Sequence, residues 1–326
     1  MLASTQPRVL PMLKIRLAAV AALLALSLIA NSAEAQSRVF VAAQGSDSNP
    51  CTFASPCRTF QHAHDVVAAQ GEIDVLDPAG YGQVTIAKSL SIQGHGFAGI
   101  SAVGNGVTIS AGTSDTISLR GLLLDGAAGT GGNGVQFNSG ASLNVQDCLI
   151  RSFKPGIAGI GDGIFFAPNA ASKLVVSNTV IADNQASAVD IHPSGSSAVD
   201  VVVDRVEMDN NRGGNGLTAF GTDSTGTIHI TVSESVAARN GNNGISIVSA
   251  SAPTSVMVRG SIISSNARSG LLALDTAATI RVTKSTITGN ATGLNTASGG
   301  TIVSFGNNSI AGNTADGAPT STMALK

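Results

Sequence analysis

Short runs of alternating apolar and polar residues return along this chain at a nearly constant spacing. Eight of them open with glycine or alanine: Gly106-Val-Thr-Ile109, Gly134-Val-Gln-Phe137, Gly163-Ile-Phe-Phe166, Ala188-Val-Asp-Ile191, Gly216-Leu-Thr-Ala219, Gly244-Ile-Ser-Ile247, Gly270-Leu-Leu-Ala273 and Gly293-Leu-Asn-Thr296. Their first residues lie 28, 29, 25, 28, 28, 26 and 23 positions apart. Alternate residues of a strand point to opposite faces, so each run predicts a short strand with one buried side. A unit of this length cannot bury its apolar face alone, and its repetition predicts stacked coils.

A second alternation follows each of the first seven runs, ending in Leu119 and then in valine six times: Val145, Val176, Val203, Val232, Val258 and Val282. Equivalent residues of coils stacked at the ~4.8 Å strand spacing lie above one another. A file of β-branched side chains inside the stack is the expected result. Val203 should therefore touch Val176 and Val232. A third column reads Leu122, Cys148, Thr179, Val206, Ser235, Ser261, Ser285, and a fourth Leu124, Ile150, Ile181, Met208, Ala237, Ile263, Ile287. Asn184, Asn240, Asn266, Asn290 and Asn313 recur three or four residues before the next start. Asparagine tolerates left-handed backbone and can pair with its copy in the next coil, so a structural ladder is expected.

These patterns predict an all-β chain: a right-handed parallel β-helix of about eight to ten coils spanning 72–314. No helical period separates the strands, against a doubly wound α/β fold, and the leucine signature of horseshoe repeats is absent. Arg58 to Gln70 is different. Phe60, Ala63, His64 and Val67 fall at helical spacing behind Thr59 as N-cap, predicting a short helix that covers the first coil within an N-terminal segment, 36–71. After Asn313 the repeat stops, and the tail, 315–326, carries no helical cap. The exposed last coil should self-associate or lie under that tail.

The chain opens with Lys14 and Arg16, an apolar run from Leu17 to Ala30 and Ala33-Glu-Ala35, the pattern of a signal peptide over 1–35. Met12 is an alternative start. The run is too short to span a membrane, so an exported chain (periplasmic, cell-surface or extracellular) with no membrane insertion after cleavage is expected. Residues 36–326 would carry 15 basic against 19 acidic side chains, which gives no nucleic-acid-binding pattern. In an exported chain Cys51 and Cys57 are expected to form a disulfide; a metal site would need more ligands than these two supply. Cys148 falls in an interior column and reads as an inert thiol.

The segment Arg38-Val-Phe-Val-Ala-Ala-Gln-Gly-Ser-Asp-Ser-Asn-Pro-Cys51, followed by Pro56-Cys-Arg-Thr-Phe-Gln61 and Glu72-Ile-Asp-Val-Leu-Asp-Pro-Ala-Gly80, resembles the N-terminal opening of bacterial exported right-handed parallel β-helix repeat proteins of the pectate-lyase-like superfamily. The resemblance implies the fold across residues 36–326. That superfamily includes lyases, hydrolases, tailspikes and adhesins, so fold does not select an activity.

Gly94-His95-Gly96 is similar to a polygalacturonase motif, but the Asp pair before it and the Arg-x-Lys after it are missing, and a tight turn is expected instead. No cluster of acids suited to calcium's six to eight oxygens is evident, so neither metal nor cofactor is expected. The best candidate is Val189-Asp-Ile-His192, with Asp190 and His192 side by side on the outer face as a potential acid–base pair. The matching positions are Phe165 and Ala167 one coil earlier, Gln136 and Asn138 two coils earlier, and Thr218 and Phe220 one coil later. Phe165, Gln136, Asn138, Thr218 and Phe220 are thus candidate ligand contacts. Asp162, Asp204 and Asp209 are only loosely placed. Asp204, Arg205, Glu234 and Lys284 read as a surface charge ladder, and outward Val175, Val202 and Met257 as a stripe suited to self-association.

With no tryptophan and one tyrosine, Tyr81, aromatic sugar platforms are scarce. That counts against both a lyase and a lectin. Because no complete catalytic constellation stands out from residues that stacking explains, the leading expectation is a non-catalytic surface, matrix or adhesin-like module, with a polysaccharide or cell-surface glycan as its candidate partner and self-association as another. The alternative is a polysaccharide lyase or glycoside hydrolase acting on an acidic polysaccharide at Asp190 and His192.

Overall fold

The computed structural model describes residues 36–126, 131–156, 160–196 and 198–325, with Met1 and Ala3. The expected signal segment otherwise lies outside them, and Gln36–Lys326 form a unit distinct from Met1–Ala35. In that unit the glycine-led runs become one parallel sheet nine strands deep, from Val84–Ile86 to Thr292–Ala297. One more strand joins it than the glycine or alanine starts announce, because Val84–Ile86 follows Gln83. The second and third strands of each coil stack likewise, Val199–Asp204 on Ser172–Ser177 and Glu207–Asp209 on Val180–Ala182. The result is the parallel β-solenoid that the repeat predicts.

Register confirms the valine file. Val176 pairs with Val203 and Val203 with Val232, and all three are fully buried. The third column solves a backbone problem. The preceding residue takes a left-handed φ, as at Gly121 (+64°), Asn178 (+47°), Arg205 (+53°), Glu234 (+47°) and Lys284 (+52°). This corner displaces the next N–H from the ladder, and a buried hydroxyl of the adjacent coil accepts it: Val206 N donates to Ser235 Oγ at 3.1 Å and Ser235 N to Ser261 Oγ at 3.2 Å. Each hydroxyl in turn donates to its own chain two residues back, Ser235 to Ser233 O at 2.7 Å. Serine in an apolar interior is thereby satisfied. Arg205 and Glu234, expected in a surface charge ladder, are exposed and stand in this corner column. Arg205 bonds Asp204 and Asn178, while Glu234 bonds Arg259 at 3.2 Å.

A second corner follows the third strand and leads into the asparagine ladder. Nδ2 of Asn184 donates to Asn211 Oδ1 at 3.0 Å, and the chain continues through Asn240, Asn266 and Asn290 to Asn313 at 2.9–3.0 Å per step. Asn211 escapes the sequence pattern because it stands five residues before Gly216. The glycine heads pack close to this ladder and the column beside it: a Cβ on Gly163 would fall 2.1 Å from Ile181 Cγ2 and 3.2 Å from Asn184 Nδ2.

At the N-terminal end the helix α1 (Phe60–Val66) is capped by Thr59 and buries Phe60, Ala63 and His64. Cys51 and Cys57 form the expected disulfide, and Cys148 is buried, its thiol pushed up to about 11 by desolvation. At the far end the tail lies on the last coil. Val303 pairs with Ser321, Thr320 N donates to Ile302 O at 2.8 Å and Met323 N to Ser304 O at 2.9 Å.

Candidate functional site

The residue before each glycine head forms a second polar ladder along the nine-stranded sheet. Asn133 N donates to Asn105 Oδ1 (2.8 Å), Asp162 N to Asn133 Oδ1 (2.9 Å), Ser187 N to Asp162 Oδ1 (2.8 Å), Asn215 N to Ser187 Oγ (3.3 Å) and Asn243 N to Asn215 Oδ1 (2.8 Å). In three coils the ladder amide also donates to the outward residue three places on. Asn105 reaches Thr108 at 3.4 Å, Asn133 reaches Gln136 at 2.7 Å and Asn215 reaches Thr218 at 2.8 Å.

Between these coils the pattern breaks twice in succession. Asp162 replaces the amide where the residue three on is Phe165, and Ser187 replaces it where that residue is Asp190. A carboxylate accepts but cannot donate, so Asp162 Oδ1 serves the ladder while Oδ2 has nothing to bond. Among the described residues three buried side-chain oxygens lack a partner: Asp162 Oδ2, Asp190 Oδ1 and Asp209 Oδ1. Two of the three lie here, in adjacent coils.

Asp190 was expected on an open outer face. Its strand does face that way: Val189 and Ile191 are buried inward, Phe165 pairs with Asp190, and Asp190 with Thr218. Yet only 8% of Asp190 is exposed, and Asp162 is fully buried. The pair is therefore not a solvated surface feature. Desolvation pushes Asp162 up to about 8, with the charge of Asp190 adding to the rise. Desolvation likewise lifts Asp190 to about 6, against the pull of His192. Near neutrality the two carboxyls hold one proton between them, an arrangement that places an acid beside a base.

His192 stands beside them, Nδ1 3.9 Å from Asp190 Oδ1 and Nε2 3.2 Å from Asp223 Oδ2. Its ring stacks on Phe220, centroids 4.7 Å apart and planes 27° off parallel, and faces Phe165 at 5.8 Å. Phe165 and Phe220 thus turn toward the imidazole and hold it as part of an aromatic stack. Gln136 and Asn138 are bonded to one another at 2.9 Å, and Asn138 reaches Ser110 at 3.0 Å, forming a polar strip two coils away. Thr218 takes part through Ser187 Oγ, 3.1 Å away.

Sequence reasoning placed Asp162 only loosely and missed Asp223. Asp162 was legible in the column before the glycines, Asn105, Asn133, Asp162, Ser187, Asn215, Asn243, where one acid interrupts amides and a hydroxyl. Asp223 sits in the irregular loop after Leu217–Phe220, and nothing in its spacing announces it.

A cleft of about 290 Å³ lined by Ser152, Lys154, Asp183, Gln185 and Arg212 borders the turn leading to Ser187. A larger one of about 430 Å³ lies on another sheet, around His95 and Arg120, whose side chains are paired with Asp74 at 2.5 Å and Asp147 at 3.1 Å. His95 and Gly96 have φ of +55° and +82°, the tight turn expected of Gly94-His95-Gly96. The ligating atoms of Cys51, Cys57 and His62 converge, but both sulfurs are in the disulfide.

The family model described as "Right handed beta helix region" matches residues 133–315. Among solved structures, the pectate lyase Pel9A is similar at 15% identity, covering 82% of this chain and 74% of that one with a TM-score of 0.53. The A-module of the mannuronan C-5 epimerase AlgE4 of Azotobacter vinelandii is similar at 15% identity, covering 89% of each chain with a TM-score of 0.50. Likeness at this identity concerns the fold. No curated protein sequence matches the chain.

Proposed function

The chain belongs to the right-handed beta-helix family, and from that footing we propose that it acts on a polysaccharide by acid–base chemistry at Asp162 and Asp190. The observation that carries this reading is the break in the amide ladder. Burying an unpartnered carboxylate oxygen costs free energy, and the ladder positions of neighbouring coils show that an asparagine or serine would serve the stack without that cost. The carboxylate in the ladder and the buried Asp190 one coil on put a carboxyl that keeps its proton, Asp162, behind one ready to accept a proton, Asp190, which at 8% exposure is the nearer to the surface.

The outer face supplies hydrogen-bonding groups along the solenoid axis, with Gln136 and Asn138 on one side of the centre and Thr218 on the other. An extended hydroxyl-rich chain suits such a track. The sequence alone favours a non-catalytic module, because no complete catalytic constellation stands out in it; the burial of Asp190 beside Asp162 supports the catalytic alternative. The closed disulfide suits an exported protein, and no helix among the described residues is long and apolar enough to cross a membrane.

The test is incubation of the purified exported chain with pectate, alginate and other polysaccharides, with and without calcium, scoring unsaturated products and new reducing ends. Turnover that Asp162→Asn and Asp190→Asn each reduce by on the order of 10²-fold or more supports the reading. Binding without turnover of any of them would return the protein to a non-catalytic glycan module.

A further inference from the structure

Asp223 occupies a place that the acid–base centre leaves open. It lies outside the repeat, in the loop between Leu217–Phe220 and Ile228–Ser233, and that loop is fastened to the one following His192. Gly195 N donates to Asp223 O at 3.1 Å, Thr225 N donates to Gly195 O at 2.7 Å, and Gly195 and Ser224 form a bridge. His192 is fixed from its own side, its N–H donating to Phe166 O at 2.8 Å. The Asp223 carboxylate and the imidazole are thus held by backbone that moves together.

A carboxylate only accepts, so the 3.2 Å contact to Nε2 requires the proton to be on Nε2. A neutral imidazole carries one N–H, which leaves Nδ1 with its lone pair. Nδ1 is the nitrogen that faces Asp190 Oδ1, the buried oxygen with no partner. Phe220 stacks on the ring at 4.7 Å and Phe165 lies 5.8 Å from it, which holds the ring plane; the Nε2 contact to Asp223 selects which edge of the ring points to the loop. We infer that Asp223 is a positioning residue: it fixes His192 as the Nε2–H tautomer and turns an unprotonated Nδ1 toward Asp190.

This inference rests on the acid–base reading for its purpose, although the tautomer is a property of the resting protein. Near neutrality Asp190 is the proton acceptor of the carboxyl pair; once it has taken a proton from a substrate, Nδ1 receives that proton from it. The O–H bond breaks as the N–H bond forms, and the imidazolium lies between two carboxylates. Removing Asp223 would leave that cation beside one carboxylate instead of two, and would leave either nitrogen of the neutral ring free to hold its single proton.

Long-range proton–nitrogen NMR of ring-labelled protein reads the tautomer directly. The chain has five histidines, and His192→Gln assigns the signal. The side chain of Asp223 is 60% exposed, so Asp223→Ala should leave the fold unchanged. Neutral His192 should be Nε2–H in the wild type, a mixture of both tautomers in Asp223→Ala, and Nε2–H again in Asp223→Glu. A wild-type Nδ1–H signal, or an unchanged tautomer in Asp223→Ala, overturns the inference whatever the protein turns over. If a substrate is found, Asp223→Ala should lower kcat by roughly 10²-fold with KM little changed, and equal kcat would overturn the positioning role. Absence of turnover on every polysaccharide, with the tautomers as expected, would sink the acid–base reading and leave the Asp223 assignment standing.

Discussion

Replacing Asp162 by asparagine should make the protein more resistant to unfolding at alkaline pH. The folded chain holds the Asp162 proton up to about pH 8, whereas an unperturbed aspartate loses it near 3.8. Where the folded state binds more protons than the unfolded one, stability falls as pH rises. Between those values the excess approaches one proton, a loss of about 1.4 kcal/mol per pH unit that tapers to half that slope at pH 8, so about 2 kcal/mol is lost from pH 6 to pH 8. Asp190, raised to about 6, adds a second proton only below that window. Asparagine keeps the oxygen that accepts Ser187 N at 2.8 Å, restores the residue type found at Asn133 and Asn215, and removes the titration. Chemical or thermal denaturation of both proteins at half-unit steps from pH 5 to 9 should show the wild type losing stability relative to the variant with each step and the gap levelling off above pH 8. From pH 6 to pH 8 the gap should grow by on the order of 5 °C in Tm. Parallel curves would mean that Asp162 is already ionised in the folded protein, and the shared proton, with the acid–base argument built on it, would go with it.

The inward register is tested by Val203→Asp, which puts an unpaired charge among Val176 and Val232 and should cost several kcal/mol. Val202→Asp, one residue earlier and 39% exposed, should cost no more than about 0.5 kcal/mol. Equal melting points would reverse the face assignment. Asn240→Ala interrupts the ladder at its middle, leaving Asn211 Nδ2 without the oxygen it reaches at 2.9 Å and Met208 O without its 3.1 Å donor. The expected loss is about 1–3 kcal/mol for each buried group left unpaired, and hydrogen exchange should quicken in the coils on both sides, since solenoid stability is carried by neighbour contacts.

The inward half of every coil was legible because stacking repeats its demands. Val145 to Val282, Ile181, Ile263 and the asparagines answer the same packing problem each time, so periodicity alone locates them. Asn211 was lost to a one-residue insertion. The corner residues were read only in part for a different reason: Arg205 and Glu234 are charged and exposed, but their place is set by a left-handed backbone that no side-chain pattern displays. Asp190 and His192 were correctly put on the outward face, and Phe165, Thr218 and Phe220 beside them, because register follows from the inward columns. What could not be read was burial. Whether an outward carboxylate is wet depends on the loops over it, and loops are where the repeat lapses.

That division explains why the centre is where it is. A solenoid commits its inward columns to packing, and any change there is taxed by two neighbouring coils. Its outward columns are free, but a free column is also wet, and a wet aspartate stays an ordinary ion. To hold a proton near neutrality an outward acid must be covered without being neutralised. Here Asp162 achieves this by entering a ladder built for amides, where Oδ1 is used and Oδ2 is not. Asp190 achieves it one coil on, in the column of Phe165 and Thr218. The same stacking that pairs the ladder amides with their neighbours offers these two oxygens no hydrogen-bond partner from the ladder. An ordered array of satisfied groups is the setting in which two unsatisfied ones can be held in place, and it gives the break its chemical meaning.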